Sequence, residues 1–293
     1  MRLFYIFQNP INVTILRTKQ AVKSALQILR NSQKTIGFVP TMGALHKGHL
    51  SLVENAKLSS DSVIVSIFVN PTQFNNKEDY EKYPISIDED LKLLEEKGVD
   101  FIFLPSVTEM YTGESLLKMD FGNLDKTLEG SFRPGHFNGV GVVVSKLLNI
   151  VKPDKSYFGQ KDLQQVAIIK RLVNDLSFDV EIVVVPTIRE SDGLAMSSRN
   201  VRLNPEERLT ATILYNCMFF AKTELLQGGD WFEIREKVAK RFYDEPKARL
   251  EYFELVNTDT LEKLSTIKYQ LNISICTAAF IGEIRLIDNL SIV

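Results

Sequence analysis

The chain has 293 residues, 44% hydrophobic and 25% charged, a composition typical of a globular protein with one large domain or two of ordinary size. Its formal net charge of −2 gives no general attraction to nucleic acid or to an anionic membrane surface. Cys217 and Cys276 form no Cys-x-x-Cys pattern, so we expect free thiols in a reducing, cytoplasmic compartment. No apolar run predicts a membrane span, and the apolar residues 3–7 are too few for a signal peptide. They predict a strand or a packed extension.

Strands and helices alternate from the amino terminus onward. Apolar spacing predicts helices over residues 18–31 and 88–97 and buried strands over residues 36–39, 62–69 and 99–104. Pro40 and Pro105 end two of these strands, because proline cannot donate to a sheet ladder. Alternation at this spacing is typical of an α/β fold, and it predicts a Rossmann-like, doubly wound parallel sheet.

The alternation pauses at residues 111–133, which show little periodicity and which we expect to form a mobile cover. It resumes with a predicted helix over residues 136–151 and a strand over residues 155–158. Residues 159–162 then open another helix, and a last strand of the sheet is predicted over residues 180–186.

The composition changes after the loop that follows this strand. Two helices divided by Gly228 and Gly229 are predicted first, and three strands are predicted over residues 252–257, 273–280 and 284–287. We therefore predict a nucleotide-binding domain over residues 1–187 and a smaller C-terminal α+β domain over residues 188–293.

The main cluster of chemically capable residues follows the strand at residues 36–39. His46 and His49 stand at i and i+3 at the start of a predicted helix, and Gly48 between them leaves room for a ligand against the backbone. A strand, a glycine turn and a helix N-terminus form the usual phosphate site of an α/β sheet, where neutral imidazoles can donate N–H hydrogen bonds. Two alternatives remain open: histidines that only cap the helix, and a metal-binding pair.

Several runs of residues resemble one known family. His-x-Gly-His after a strand resembles the signature of the nucleotidyltransferase superfamily, and PTMGALHKGH at residues 40–49 is similar to the pantothenate synthetase family. The same family is matched by NPTQF at 70–74, YPISIDEDL at 83–91, LEGSFRPGHF at 128–137, FGQKDLQQ at 158–165, DGLAMSSRN at 192–200 and RLIDN at 285–289. The resemblance covers nearly the whole chain.

The resemblance implies an ATP-dependent ligase that condenses pantoate with β-alanine to pantothenate. Pantoate would attack ATP to give pantoyl adenylate and pyrophosphate, and β-alanine would then displace AMP. The family also implies Mg²⁺ as a cofactor and a homodimer, with no nucleic-acid or membrane partner. A reaction that depends on alignment and charge stabilisation agrees with a chain that shows no catalytic triad.

The resemblance also assigns roles to individual positions. The catalytic residues it implies are His46, His49, Lys161 and Arg199, with His49 as a proton donor. The ATP-binding positions it implies are Met42, Gly43, Ala44, Leu45, His46, Lys47, Gly48, His49, Gly159, Gln160, Lys161, Asp162, Ile188, Met196, Ser197, Ser198 and Arg199. Asn70, Gln73 and Gln165 match substrate-binding positions, and Asp90 matches a magnesium ligand.

The chain departs from the family pattern at two positions. Ile85 stands where the family usually has arginine, and Gln160 stands where it usually has glutamate. Arg133 and His136 are predicted to reach the nucleotide or a neighbouring subunit, with helix capping as the alternative for His136. Three other functions are left open: a nucleotidyltransferase that acts on a phosphate ester, an RNA-binding synthetase relative, and a non-catalytic nucleotide sensor.

Overall fold

The computed structural model describes residues 13–292, so the strand or extension predicted at residues 3–7 lies outside the described residues. The first sheet is six-stranded and parallel, with the order β1-β4-β3-β2-β5-β6. Its strands are β1 (Thr14–Leu16), β2 (Ile36–Thr41), β3 (Ser62–Ile67), β4 (Phe101–Phe103), β5 (Lys155–Gly159) and β6 (Glu181–Val185). The doubly wound sheet is confirmed, and β1 at its edge is an addition that the sequence pattern did not predict.

Helices cover both faces of this sheet. They are α1 (Lys19–Asn31), α2 (Lys47–Ser59), α3 (Lys77–Glu81), α4 (Ile87–Glu96), α5 (Val107–Met110), α6 (Glu129–Phe132), α7 (His136–Val151) and α8 (Leu163–Asp175). Apolar residues of α1, α7 and α8 form one core with the sheet. Residues of α2 and α4 form the core on the opposite face. Burial of apolar surface on both sides is what a parallel sheet requires.

The prediction that Pro40 ends its strand is wrong. Strand β2 continues through Pro40 to Thr41, and Pro40 lies opposite Ser66 of β3. The pairing of β2 with β5 stops at Phe38, so no ladder on that side needs an N–H group from residue 40. Proline is tolerated there because one of its neighbours has already diverged.

The C-terminal part forms a second, antiparallel sheet with its own core. It contains α9 (Pro205–Thr210), α10 (Ile213–Leu226), α11 (Trp231–Tyr243), β7 (Ala248–Asn257), β8 (Ile273–Ile281) and β9 (Ile284–Ser291), with the order β7-β8-β9. Three helices stand where two were predicted, because a capping box between Asn204 and Glu207 starts a separate short helix, α9. Trp231 stacks on Phe253 with ring centroids 5.6 Å apart, joining the helices to the sheet.

The segment of low periodicity, residues 111–133, lies against α7 and α8. The Gln164 side chain donates to the carbonyl oxygens of Leu124 and Thr127 at 2.7 and 2.8 Å and accepts from the Glu129 N–H at 2.9 Å. These three hydrogen bonds attach the C-terminal end of the segment to α8. That the segment is mobile stays a prediction. Across residues 13–292, no helix has the length and apolar character needed to span a membrane.

Candidate active site

A cavity of about 220 Å³ opens beside the carboxyl ends of β2 and β5. These two strands are neighbours, yet the chain leaves β2 toward β3 on one side and β5 toward β6 on the other. Their paired residues are confined to Gly37 with Lys155 and Phe38 with Ser156, so the strands separate toward their carboxyl ends. Such a switch point is where open α/β sheets bind ligands.

Most of the residues predicted for the site line this cavity. They are Met42, His46, Gly48, His49, Asn70, Gln73, Gly159, Lys161, Asp162, Gln165, Ile188, Met196, Ser197, Ser198 and Arg199. The remaining predicted residues lie outside its lining: Gly43, Ala44, Leu45, Lys47, Asp90 and Gln160. The structure therefore brings together four stretches that are distant in sequence: residues 42–49, 70–73, 159–165 and 188–199.

The two imidazoles at the start of α2 are oriented by the backbone. His46 is the N-cap of α2, and its Nδ1 accepts from the Gly48 N–H at 3.1 Å. His49 Nδ1 accepts from the His46 N–H at 3.3 Å, which completes a capping box. An Nδ1 atom that accepts carries no proton, so a neutral ring has its N–H at Nε2. Each ring therefore keeps one Nε2–H donor for a ligand.

The environment keeps both rings neutral. Burial, with the neighbouring His46 as the next cause, lowers the pKa of His49 to about 3. Burial also lowers the pKa of His46 to about 4, with the Lys161 ammonium as the next cause. The prediction of neutral imidazoles agrees with these directions, and the role of His49 as a proton donor stays a prediction. His46 caps α2 and lines the cavity as well, so capping does not keep it out of the site.

Gly48 also serves a purpose that was not predicted. A Cβ atom at this position would lie 2.8 Å from Cε1 and 2.9 Å from Nδ1 of His46. The space beside Gly48 is therefore taken by the His46 ring. Glycine here allows His46 to fold back over the first turn of α2, which is the geometry that sets its tautomer.

Asp90 of α4 holds the loop that precedes His46. Its carboxylate is buried and accepts from the N–H groups of Ala44 and Leu45 at 2.8 and 2.7 Å, and the Ser86 hydroxyl donates to it at 3.2 Å. Burial raises the pKa of Asp90, and these hydrogen bonds oppose the rise. Gly43, with φ +83°, makes the turn that brings Ala44 and Leu45 toward the carboxylate. Asp90 therefore supports the loop before His46, and its predicted role as a magnesium ligand stays a prediction.

Lys161 enters the cavity from the turn between β5 and α8. Its ammonium lies 3.3 Å from Oδ1 of Asp162. Burial alone raises the pKa of Asp162, but the charge of Lys161 and its hydrogen bond outweigh burial and leave this pKa below its usual value. The turn is held from behind by Asn289 of β9, whose amide donates to the carbonyl oxygens of Gln160 and Lys161 at 2.9 and 2.8 Å.

Asn70 and Gln73 line the opposite wall in a buried turn after β3. The Asn70 amide donates to Oε1 of Gln73 at 3.0 Å and to the Gly139 carbonyl at 3.3 Å. Nδ1 of His136 lies 2.7 Å from the Gln73 carbonyl oxygen. A Cβ at residue 139 would lie 2.3 Å from the Thr72 carbonyl oxygen, so glycine permits this approach of α7 to the turn. The two amides are thus fixed before any ligand arrives.

The loop after β6 supplies two hydroxyls and a guanidinium. Ser197 caps a short 3-10 turn over Ser198–Arg202 by accepting from the Arg199 N–H at 3.3 Å. The Ser198 hydroxyl lies 3.3 Å from that of Tyr83. Arg199 Nη2 donates to Oδ2 of Asp79 on α3 at 3.1 Å. Arg199 also lines a second cavity of about 500 Å³, and Asp79 and Arg202 line that second cavity with it.

Two contacts of the site were not predicted. Thr187 lines the cavity, and its hydroxyl oxygen is buried with no hydrogen-bond partner among residues 13–292. Asp288 of β9 pairs with Arg189 through two hydrogen bonds of 2.6 and 3.0 Å. The family-like run at residues 285–289 was the only signal for the β9 contacts, whereas no sequence signal indicated Thr187.

Arg285 joins the C-terminal sheet to the covering segment. Its guanidinium donates to both carboxylate oxygens of Glu129 at 2.8 and 2.7 Å and, through Nε, to Glu251 at 2.9 Å. The Tyr252 hydroxyl also donates to Glu129, at 2.9 Å. Burial by itself raises the pKa of Glu129, but the hydrogen bonds and charge of Arg285 outweigh it and lower that pKa. The result is a buried ionic link behind the cavity.

The fold and the site together define a doubly wound α/β protein whose cavity lies at a switch point of the sheet, beside a helix that starts with His-x-Gly-His. The sequence model of the pantoate-beta-alanine ligase family matches residues 14–291. A pantothenate synthetase from Thermoanaerobacter sp. strain X514 is 53% identical over 270 residues, which are 92% of this chain and 95% of that protein. One from Cytophaga hutchinsonii is 46% identical over 265 residues, covering 90% and 94%.

Solved structures agree with the sequence matches. Pantothenate synthetase from Thermus thermophilus superposes with a TM-score of 0.89 at 42% identity, covering 96% of this chain and 99% of that one. The pantoate-beta-alanine ligase of Francisella tularensis, complexed with beta-gamma ATP and β-alanine, gives a TM-score of 0.77 at 40% identity, covering 96% and 98%. The chain therefore belongs to the pantoate–β-alanine ligase family, a family of ATP-using enzymes of pantothenate biosynthesis.

Proposed function

We propose that this cavity condenses pantoate with β-alanine through a pantoyl adenylate, with His46, His49, Lys161 and Arg199 binding the phosphates of ATP. The observation that carries the proposal is the pair of Nε2–H donors fixed by the capping box. Lys161 follows β5, the strand beside β2, and lines the same cavity. Donors fixed in advance stabilise developing charge without reorganising during the reaction.

In the first step the pantoate carboxylate oxygen attacks the α-phosphorus of ATP. A P–O bond forms, the bond to the β-phosphate bridging oxygen breaks, and pyrophosphate leaves with that electron pair. The imidazole N–H groups and the Lys161 ammonium stabilise the negative charge on the phosphate oxygens. Ser197, Ser198 and Arg199 clamp the departing phosphates from the loop after β6, since two hydroxyls and a guanidinium are all donors to phosphate.

Asn70, Gln73 and Gln165 bind pantoate in this proposal. A bidentate guanidinium would stabilise the ground-state charge of the attacking carboxylate and weaken it as a nucleophile. Neutral amides orient the hydroxyls and one carboxylate oxygen without that cost. The Asn70–Gln73 hydrogen bond of 3.0 Å supports this, because it orders the Gln73 amide before pantoate binds.

In the second step the β-alanine amine attacks the acyl carbon of pantoyl adenylate. A C–N bond forms, AMP leaves with the acyl–oxygen electron pair, and the amine loses a proton. A mixed anhydride is sensitive to water, so the reaction needs an enclosed site. Phe68, Val143 and Leu147 give the cavity an apolar wall that supports this requirement.

The remaining predicted ATP positions fall into two groups. Met42, Gly48, Gly159, Asp162, Ile188 and Met196 line the cavity and are proposed to contact the nucleotide, with Ile188 against adenine. Gly43, Ala44, Leu45, Lys47 and Gln160 lie outside the lining, and we propose that they shape the two loops. Lys47 is exposed, so it can reach the phosphates only from the rim.

Mg²⁺ is proposed as the partner of the ATP phosphates. Within residues 13–292, no group of three or more His, Cys, Asp or Glu side chains could hold a metal, and the Asp90 oxygens accept backbone hydrogen bonds. The described residues therefore offer no cluster of protein side chains that would bind Mg²⁺ by itself. This agrees with an ion that is bound mainly by water and substrate phosphates. Asp90→Asn tests whether Asp90 binds Mg²⁺ or only holds the loop before His46. An unchanged Mg²⁺ dependence of adenylation would indicate that Asp90 only holds the loop, and a higher Mg²⁺ requirement would indicate that it binds the ion.

A domain boundary, an oligomeric state and a cellular location are proposed as well. The domain boundary is proposed between Thr187 and Ile188, where the chain has completed β6 and turns toward the second sheet. A homodimer is proposed from the family resemblance, and size-exclusion chromatography with light scattering tests it. A cytoplasmic location is proposed because Cys217 and Cys276 are free and buried, as expected in a reducing compartment.

ATP–pyrophosphate exchange tests the proposed function. We expect exchange that requires pantoate and Mg²⁺ but not β-alanine. Gln73→Ala and Gln165→Ala should raise the KM for pantoate far more than that for ATP, and Gln73→Glu should be worse than Gln73→Ala because it adds like-charge repulsion. Exchange with a phosphate ester and not with pantoate would overturn the proposal, and nucleotide binding without any exchange would indicate a sensor.

A further inference from the structure

We propose that Asp79 is a positioning residue that holds the Arg199 guanidinium at the phosphate end of the cavity; this rests on the phosphate-binding role proposed above for Arg199. Asp79 lies on α3, between the turn that carries Gln73 and the start of α4. Its Oδ2 accepts from Arg199 Nη2 at 3.1 Å, and its Oδ1 lies 3.5 Å from Arg202 Nη1.

The contact leaves Arg199 able to bind a ligand. Among residues 13–292, the bond to Asp79 is the one hydrogen bond that its guanidinium makes. A guanidinium has five N–H donors, so the others remain for a polyphosphate. Asp79 therefore fixes one corner of the group without using up its donors.

The charge balance also favours positioning over blocking. One carboxylate is shared by two guanidinium groups, so the three side chains together keep a net charge of +1. This end of the cavity therefore still attracts an anion. A free arginine side chain loses rotamer entropy when it binds a ligand, and holding it before the nucleotide arrives removes part of that loss from binding.

Helix α3 is itself anchored to both neighbouring loops. Asn76 caps it by accepting from the Glu78 N–H at 2.8 Å. The Phe74 ring contacts the rings of Tyr80 and Tyr83, with centroids 5.3 and 5.7 Å apart. The Tyr83 hydroxyl reaches Ser198 at 3.3 Å, next to Arg199. These contacts hold α3 in place, so the Asp79 carboxylate can fix the position of the Arg199 guanidinium.

The test compares Asp79→Asn with Glu81→Gln in pyrophosphate exchange at saturating pantoate. Glu81 is a matched control, because it lies on the same helix, carries the same charge, and pairs with the exposed Lys77 at 3.5 Å. We expect Asp79→Asn to raise the KM for ATP and for pyrophosphate roughly tenfold, with the KM for pantoate and the melting temperature unchanged. Asp79→Glu should recover part of the loss, and Glu81→Gln should behave as wild type.

Arg199→Ala and the double variant Asp79→Asn/Arg199→Ala separate the possible failures. If Asp79 acts through Arg199, the double variant has the same KM for ATP as Arg199→Ala. A normal KM for ATP in Arg199→Ala would show that the phosphate role of Arg199 is wrong, and the proposal for Asp79 would fall with it. Additive effects, a KM in Asp79→Asn equal to that of Glu81→Gln, or tighter ATP binding in Asp79→Asn would overturn the positioning role alone.

Discussion

The start of α2 and the end of β9 support the same cavity in different ways. At α2, His46 and His49 enter the cavity themselves, and hydrogen bonds within four consecutive residues orient them. At β9, Asp288 and Asn289 stay behind the cavity and act through the Arg189 guanidinium and the backbone of the Lys161 turn.

The difference separates local from long-range organisation. The histidine geometry requires only that α2 begins at the right residue, so it can form with the helix. The β9 contacts require the second sheet to be complete and docked beside the first. Substituting a histidine at the start of α2 should therefore lower activity while the fold persists. Substituting a β9 residue should leave Lys161 present but less well positioned.

The largest effect is expected from a substitution at the start of α2. His49→Ala removes an oriented donor to a developing phosphate charge, and such a loss costs roughly 2.7–4 kcal/mol, or 10²–10³ in rate. Adenylation measured by pyrophosphate exchange should fall by this amount, while the circular dichroism spectrum and melting temperature stay close to wild type. Lys161→Ala should lose a similar amount. Near-normal exchange in both folded variants would make these residues structural.

A smaller effect on adenylation is expected from a substitution in β9. Asn289→Ala removes two hydrogen bonds from the carbonyls of Gln160 and Lys161, each worth about 1 kcal/mol. We expect kcat for adenylation to fall roughly tenfold to thirtyfold, with little change in the KM for pantoate. In a Lys161→Ala background the same substitution should have no further effect. Asn272→Ala, which removes a contact with Asp259 in the same part of the chain, is the control.

A third prediction concerns a histidine whose surroundings come from tertiary packing. Burial lowers the pKa of His136 to about 4, with the Arg133 charge as a further cause. The unfolded chain, with a histidine pKa near 6.5, then binds more protons than the folded one, so stability is full above pH 6.5 and falls as the pH drops toward 4. Between pH 7 and pH 5 this histidine should remove about 1–2 kcal/mol from the free energy of unfolding.

His136→Asn provides the check on that prediction, because an asparagine amide can still donate to the Gln73 carbonyl. Urea denaturation of both proteins at pH 7 and pH 5 measures the difference. The loss on acidification should be smaller in His136→Asn by about the amount given above. The same loss in both proteins would show that His136 does not contribute to acid sensitivity.

The smallest effect is expected at Thr187, between the two regions. Thr187→Val keeps the shape of a side chain that lines the cavity but removes its buried, unpartnered hydroxyl. One lost neutral hydrogen bond to a ligand costs about 1 kcal/mol, so the KM for ATP should rise roughly fivefold. Thr187→Ser keeps the hydroxyl and should match wild type. An unchanged KM in Thr187→Val would show that the hydroxyl faces no substrate.

The sequence predicted those features that depend on local pattern. The bounds of α7 agree with the predicted residues 136–151, because a continuous apolar face and a preceding glycine define that helix. The His46 and His49 site was predicted because strand, turn and helix start are adjacent in the chain. The family-like runs then indicated Gln73 and Lys161, although nothing in the spacing showed that they meet across a cavity.

Features that depend on neighbours in space were missed. Pro40 lies inside a strand because β5 diverges from it, and that divergence has no sequence signal. Asp90 was predicted only as a magnesium ligand, and no sequence signal showed that its carboxylate accepts hydrogen bonds from Ala44 and Leu45 in another part of the chain. The free hydroxyl of Thr187 became visible only once every neighbouring donor and acceptor had been placed.

The chain contains three histidines, and His46, His49 and His136 all line one cavity. Protein labelled with nitrogen-15 only at histidine would therefore give resonances from this cavity and from nowhere else. The chemical shifts of the two ring nitrogens differ between tautomers and between charge states, so one titration with ATP would follow all three rings at once. The composition of the chain thus gives it a set of built-in spectroscopic reporters, with no need for an added probe.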